Sequence, residues 1–309
     1  SEDAPLQTIF LRIQMTDANS TVGTLSCLSS LALITVSGAD RFTFLQGQLT
    51  NDITKLGDKL MPAGYCSPKG RLLATPRLFQ NGETIGMIVA ASNADYLVKR
   101  LRMYVLRSKV TIELADNREV AGFVGSAPTN LGNDTRVFEL PCALPQTRIP
   151  AAFPCGLGLA IVPKGTVSAG LEPLWWAASA AAGQPWGFGE TAERFTPHAV
   201  NLDLIGGISF NKGCYTGQEV VSRIEHIGKT NRRTIVLAAN DPLELAAGVD
   251  LQDAQGQTVA TVVYSAKLAD RTLLLAEVST EVAQGEAAIE TTVATMHRLP
   301  LPYGWNRKK

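Results

Sequence analysis

Cysteine is scarce in this chain of 309 residues, and the five present stand alone at positions 27, 66, 142, 155 and 214, with no Cys-x-x-Cys pair. An odd, dispersed set argues against a disulfide framework and against a cysteine-built zinc or cluster site of ordinary spacing. Histidine is scarcer still: His198, His226 and His297 form no His-x-x-x-His pair, so no permanently bound metal is expected. An excess of one charge is also missing, because 28 Lys plus Arg cancel 28 Asp plus Glu. General coating of nucleic acid needs a strongly basic protein and is not expected here, although a small basic patch is compatible with the balance. No apolar run approaches the roughly 18–20 residues that span a bilayer. The first 20 residues carry Glu2, Asp3 and Asp17 and lack the basic start of a signal peptide. The expectation is a soluble protein of a reducing cytoplasm.

What is present is enough apolar material for a large core, with 45% hydrophobic and 18% charged residues. The length allows two or three domains at about 100–200 residues each. Residues 1–25 are mixed and polar and read as a loose lead-in. Leu31 to Val36 reads as a strand stopped by Ser37-Gly38, and Asp40 as the cap of a helix carrying Phe42, Phe44, Leu45 and Leu49. Leu72 to Phe79 and Thr84 to Ala90 read as paired strands joined at Asn81-Gly82, a strong hairpin signal. Asp95 to Leu106 reads as an amphipathic helix with Lys99, Arg100 and Arg102 outward, Val110 to Leu114 as a strand, and Leu174 to Ala182 as an alanine-rich helix. Residues 118–170 suit a second small α+β unit. Past a boundary near 228–232, strands at 234–237, 258–263, 272–277 and 288–295 suit a small antiparallel barrel.

The segment from Gly206 to Glu219 stands apart: two glycine turns bracket Cys214, which follows Lys212 and Gly213. A helix is expected to begin near Thr216 or Gly217, with Thr216 capping and Glu219 closing a capping box. A thiol close to a helix N-terminus and an ammonium should gain thiolate character and serve as a nucleophile, a transient metal or cluster ligand, or a redox sensor. The plainer alternative is a small buried structural cysteine in a tight loop. His226 follows 12 residues on, but a Cys–His dyad requires contact in space.

Lys212-Gly213-Cys214-Tyr215-Thr216-Gly217-Gln218-Glu219, followed by Asn231-Arg232-Arg233, resembles the signature of the YgfZ family, folate-binding factors of iron–sulfur protein assembly that are similar to the glycine-cleavage T-protein. The resemblance covers nearly the whole chain: Leu45 to Asp52, Ser67 to Arg71, Phe195-Thr196-Pro197 and Leu299 to Tyr303 match lesser motifs in order. It implies an α+β fold built as a T-protein-like ring of three subdomains around a central hole, two α+β (26–230) and a C-terminal antiparallel β-barrel (231–309). It also implies a reduced folate in that hole. Trp175, eight residues before Gly183, lies where the family has a folate-stacking Trp, and an indole face suits a pterin. Neighbouring Trp176 competes for the assignment, and a core Trp is the alternative. Two positions depart from the pattern. Leu31 replaces a second folate-contacting Trp, and Ala181 the acid with which T-proteins hold the pterin edge, which should weaken folate or shift its pose.

Further candidates for folate contacts are Gln46, Gln48 and Asp52 in the hole, and Lys69 and Arg71 on the Gly/Pro turn, where a glutamate tail or an RNA phosphate could be met. Gln48 could equally anchor the helix to a turn, Asp52 cap or pair locally, and the 69–71 turn be solvated. Arg223, Lys229, Arg232 and Arg233 form a basic cluster, either a solvated face or a docking patch for RNA or an acidic partner. The resemblance implies an accessory factor for assembly or repair of iron–sulfur proteins, with radical tRNA-thiolating enzymes among its clients and Cys214 touching the cluster or a labile intermediate. The competing readings are a tetrahydrofolate-dependent one-carbon transferase, which needs a carboxylate beside the reacting folate nitrogen, and a scaffold with a structural Cys214.

Overall fold

The computed structural model describes residues 24–304 apart from 130, 133, 141–155, 228 and 229. A short strand β1 (Ser26–Cys27) leads into β2 (Leu31–Ser37), helix α1 (Arg41–Gln46) and the short strands β3 (Met61–Pro62), β4 (Tyr65–Cys66) and β5 (Leu72–Ala74). Next come β6 (Arg77–Asn81) and β7 (Thr84–Ala90), helix α2 (Ala91–Arg102) and β8 (Thr111–Leu114). The order β3-β6-β7-β2-β8 makes a first antiparallel sheet, in register from Leu31↔Ala90 to Ser37↔Thr84. Gly82 turns the hairpin at φ +56°, the left-handed conformation that Asn-Gly supplies cheaply.

Strands β9 (Arg118–Val124), β10 (Arg136–Glu139) and β11 (Leu157–Pro163) join β1 in a second sheet of order β1-β9-β11-β10. Helix α3 (Glu172–Ala181) packs on it, and α4 (Gln218–Ile227) precedes the third sheet. That sheet comprises β12 (Arg232–Ala239), β13 (Asp250–Gln252), β14 (Thr258–Lys267), β15 (Thr272–Ser279) and, after helix α5 (Thr280–Gln284), β16 (Ile289–Glu290) and β17 (Thr295–Leu299). It runs β13-β14-β15-β12-β17-β16 and curls into a half-barrel. The loop after β16 reaches back to the far edge, where Thr292 N–H donates to the Gln252 carbonyl at 2.8 Å. A bulge between Val262 and Tyr264 swings Tyr264 out of the barrel interior and toward α3.

One core lies between the first sheet and α2, around Ile34, Leu45, Leu97 and Leu101. A second fills the half-barrel. The largest joins α3 to the second and third sheets through Trp175, Trp176, Trp186 and Tyr264. At α3's entry, the Glu172 carboxylate accepts from the backbone N–H and hydroxyl groups of both Ser29 and Ser30, tying the helix to the β1–β2 turn. Burial works against that charge, but the Ser30 and Ser29 hydrogen bonds outweigh it and hold the carboxyl below its usual range.

Several elements shift from their expected bounds. The strand expected over 72–79 is broken at Thr75-Pro76, where Thr75 Oγ1 accepts the Gly187 N–H at 2.8 Å. α2 begins four residues before Asp95 and ends at Arg102, because Ala91 N–H bonds the Ser30 carbonyl and the Asn93 amide reaches the Leu73 carbonyl. α1 stops before Leu49, and Asp40 caps nothing with its side chain; it accepts the Lys109 backbone N–H instead. The lead-in expected over 1–25 lies almost wholly outside the described residues, as does the junction at 228–229.

Candidate functional site

Two glycine turns interlock to present Cys214. Gly217 has φ +83°, and a Cβ there would stand 2.5 Å from the Ser67 carbonyl oxygen, 3.0 Å from Gly70 Cα and 3.1 Å from Cys66 Cβ. Gly70, at φ +68°, is matched to it: a Cβ there would lie 2.6 Å from Val220 Cβ. Only two glycines allow the 66–71 turn and the start of α4 to touch backbone to backbone. This contact leaves Cys214 exposed, with Tyr215 buried directly behind it. The thiol is thus not the small buried hydrophobe of the plainer reading. α4 begins at Gln218, one residue past the expected start, and Glu219 is exposed in its first turn.

Lys212 points away from the thiol. Its ammonium donates to the carbonyls of Gln46, Leu49 and Asn51 at 2.7, 2.6 and 2.8 Å, which spends all three hydrogens on the turn after α1. The ammonium stands 5.1 Å from the centre of the Tyr215 ring. Burial lowers its pKa to about 8, with Asp52 opposing the shift. Lys212 is therefore a tether between motif and first helix, and the activating contact expected from the Lys-Gly-Cys spacing is not made through hydrogen bonds.

The same turn absorbs two of the expected ligand contacts, Gln46 and Asp52. Gln46 donates to Asp52 Oδ1 at 3.0 Å and accepts the Ile53 N–H at 2.7 Å. Asp52 also accepts the Thr54 hydroxyl at 2.7 Å and pairs with Lys55 at 3.3 Å. The Thr54 bonds, with those of Gln46 and Lys55, hold its carboxyl at about 2 against the opposing effect of burial. Gln48 is half-buried, and its Oε1 finds no partner. Lys69 is exposed on its turn, and Arg71 Nη1 donates to the Arg194 carbonyl at 2.8 Å.

A separate cavity of about 270 Å³ opens where the three sheets converge. Leu60, Pro62 and Arg77 come from the first sheet and its approach, Leu140 from the end of the second, Leu204 and Ile205 from the loop before the Cys214 turn, and Gln184, Pro302 and Tyr303 close it. Neither Cys214 nor Trp175, Gln46, Gln48, Asp52, Lys69 or Arg71 lines it. The Asn51 amide links cavity and thiol turn, because it donates to the Pro62 and Gly206 carbonyls while the Asn51 carbonyl receives Lys212.

Arg77 dominates the chemistry of this cavity. It is 1% exposed, donates to the carbonyls of Thr75 (3.2 Å) and Pro185 (2.9 Å) and to Gln184 Oε1 (3.3 Å), and lies 4.6 Å from the Trp186 ring centre. Its Nε has no partner, and no carboxylate among the described residues stands within ion-pair distance. Burial pushes its pKa down to about 10. A buried guanidinium without a counter-charge is costly unless an anion completes it. An apolar slot with Arg77, Gln184 and Tyr303 in its wall suits a flat body with an acidic end. Sequence reading passed over Arg77; the available signal was a lone arginine inside the apolar run Leu72 to Phe79.

The expected stacking face of Trp175 is closed. The ring is 1% exposed, its indole N–H donates to the Gly158 carbonyl at 2.9 Å, and Gly122 is small to admit it. It belongs to a cluster of three indoles with ring centres 5.0 to 5.9 Å apart. Leu31 and Ala181 are likewise buried in packed core away from the cavity. The expected basic cluster is divided: Arg232 pairs with Glu277 at 2.6 Å, Arg233 forks onto Asp203 at 2.7 and 3.1 Å, and Lys229 lies outside the described residues. His226 is exposed at the end of α4, eight residues into the helix that Cys214 precedes, about two turns away from the thiol's end of it.

Three sheets meeting at one cavity define the class: the fold is that of the glycine-cleavage T-protein. The aminomethyltransferase T of the glycine cleavage system from Bartonella henselae superposes with a TM-score of 0.65, covering 96% of this chain and 89% of that one at 14% identity. In sequence, the chain is 31% identical over 307 aligned residues to the tRNA-modifying protein YgfZ of Yersinia pestis (strain Pestoides F), covering 91% of this chain and 92% of that one. The corresponding protein of Escherichia coli O139:H28 is 31% identical over 305, covering 91% and 93%. The chain belongs to the YgfZ family. No family model matches it, and among the described residues no helix is long and apolar enough to cross a membrane.

Proposed function

We propose that this protein is a folate-binding accessory factor of tRNA modification that supports the assembly or repair of iron–sulfur enzymes, radical tRNA-thiolating enzymes among them, through the thiol of Cys214. The observation that carries the reading is the pairing of an exposed thiol on an interlocked turn with a separate cavity, tied to that turn through Asn51, whose buried cation has no counter-charge among the described residues. The relatives' description as tRNA-modifying proteins supports the pathway, and the T-protein fold supports the ligand class.

Arg77 and Gln184 would hold the acidic end of a reduced folate, and the apolar wall from Leu60, Pro62 and Ile205 would cover its flat body. The folate supplies a reduced pterin, whose chemistry the chain does not itself provide. Cys214, as thiolate, offers one sulfur ligand to an iron of a client's cluster and releases its proton to solvent; with no second cysteine in the motif, such a cluster is passed on rather than kept. The one-carbon transferase reading is disfavoured, because Asp52 is engaged by Thr54, Gln46 and Lys55 and no carboxylate lines the cavity among the described residues.

The test is complementation of a deletion strain with Cys214→Ala, reading thiolated nucleosides in bulk tRNA and the activity of four-iron enzymes. Loss of both with an unchanged melting temperature is expected; full complementation would overturn the role of the thiol. Calorimetric titration with tetrahydrofolate, on the native chain and on Arg77→Met, tests the cavity. Equal affinities in the two would remove Arg77 from the ligand site.

A further inference from the structure

We propose that the outer face of α2 and the turn that follows it bind unpaired nucleotides of an RNA. α2 buries Asn93, Ala94, Leu97, Val98 and Leu101. Its other side is unusual for a solvated helix. Seven large apolar or aromatic side chains are prominently exposed among the described residues, and four of them fall between 96 and 106: Tyr96 at 45%, Met103 at 64%, Tyr104 at 39% and Leu106 at 88%. Leu106 also adopts φ +41°, a strained conformation for a branched residue standing in water.

The same stretch concentrates positive charge in a chain of zero net charge. Lys99, Arg100, Arg102, Arg107 and Lys109 face a single acid, Asp95, between residues 95 and 110. Among the described residues, none of the five stands within ion-pair distance of a carboxylate. Asp40 approaches only the backbone N–H of Lys109. Four of the cations are exposed, whereas Arg100 is half-buried, hydrogen-bonded to Tyr65 and 6.0 Å from the ring centres of both Tyr96 and Tyr104.

On α2, Tyr96 and Arg100 are four apart and share a face; Tyr104 lies two residues past the end of the helix, and its ring is brought to the same guanidinium. Tyr96 and Tyr104 both stand near this half-buried guanidinium, and Lys99, Arg107 and Lys109 nearby are exposed, as is Arg102, whose Nε donates to the Ile112 carbonyl at 2.8 Å. Aromatic faces interleaved with phosphate-seeking cations are what a single strand requires, the rings for stacked bases and the cations for backbone. A duplex, whose bases are already stacked, would use the cations alone.

The experiment is fluorescence anisotropy with a labelled, unstructured RNA of about 12 nucleotides, within the site size of single-strand binders, against a duplex of the same length and against vesicles rich in anionic lipid. The native chain should prefer the single strand, with affinity falling on a log–log salt slope of roughly −3 for four phosphate contacts. Lys99→Glu/Arg102→Glu/Arg107→Glu should weaken binding at least about tenfold and flatten that slope. Tyr96→Ala/Tyr104→Ala should weaken it about tenfold and leave the slope intact. Met103→Ser/Leu106→Ser should stay within about twofold, and Arg223→Glu, on the other basic segment, should be silent. All four substitute exposed side chains, and thermal melts confirm that each variant is folded. The proposal falls if the native chain binds no RNA near 50 mM salt, if duplex and single strand bind alike, or if the tyrosine variant is unaffected. Vesicle binding lost only in Met103→Ser/Leu106→Ser would also overturn it in favour of a membrane surface. It stands apart from the role of Cys214: Cys214→Ala should bind this RNA normally, so each proposal can fail alone.

Discussion

The two glycines flanking Cys214 should respond oppositely to the same added methyl group. At Gly217 the methyl meets the Ser67 oxygen at 2.5 Å and Gly70 Cα at 3.0 Å, both backbone atoms that cannot swing aside, and φ is +83°. A left-handed non-glycine residue costs about 1–3 kcal/mol, and overpacking typically costs about 1–3 kcal/mol more. Gly217→Ala should therefore lose roughly 2–6 kcal/mol. With an unfolding entropy of about 2.1 cal/mol/K per residue, that is a fall of roughly 3–9 °C for a single transition of this chain. At Gly213 nothing lies within 4 Å of the added carbon and φ is ordinary, so Gly213→Ala should stay within about 0.5 kcal/mol. Differential scanning calorimetry measures both. Thiol titration with an aromatic disulfide adds a second readout, because separating the two turns should change the reaction rate of Cys214 in the first variant and not in the second. Equal melting points for the two variants would refute the interlocked-turn geometry on which the placement of Cys214 rests.

Arg77→Met removes a buried unpaired charge but takes the donor from the Thr75 and Pro185 carbonyls and from Gln184 Oε1. The two effects oppose, so the ligand-free melting temperature should stay close to that of the native chain while the rise expected from tetrahydrofolate is lost; a ligand-free drop of many degrees would show that the guanidinium is a structural keystone. Asp52 has a folded pKa near 2, below its unfolded value of 3.8, so its stabilisation is complete above about pH 5 and fades as pH falls toward 2; urea midpoints over that window should depend less on pH in Asp52→Asn. Lys212→Met should leave three carbonyls of the 46–51 turn without a donor, and hydrogen exchange should speed up in residues 46–53 and in the Cys214 turn while Cys214 itself is intact. Trp175→Ala should cost about 3–5 kcal/mol in denaturant, as expected of a core indole.

Local chemistry was legible in the sequence. Asn81-Gly82 specifies its own hairpin, the run from Leu31 to Val36 stopped by Ser37-Gly38 specifies a strand, and the glycines of the Cys214 segment announce a turn that only glycine can make. What escaped reading was fixed by distant partners. α2 starts early because Ser30, in the β1–β2 turn, and Leu73, in β5, take up its first polar groups. Trp175 looked available because its sequence neighbours say nothing of Gly122 and Gly158, which make room for the ring and satisfy its N–H. Gln46 and Asp52 were expected to serve a ligand but face each other across six residues, a local contact that competes with any outside one. Arg77 was hidden for the opposite reason: in an exposed hairpin it would be ordinary, and only the meeting of three sheets removes it from water.

The position of Arg77 between the cavity and Trp186 has an optical consequence. One side of the guanidinium serves the opening, and the other lies 4.6 Å from an indole that is itself within 6 Å of two more. A guest that drew the cation inward would lift it off that ring, and excitation shared among the three indoles would carry the change to the emission of the whole group. Tryptophan emission would then serve as a gauge of occupancy, registering a visitor that no tryptophan touches.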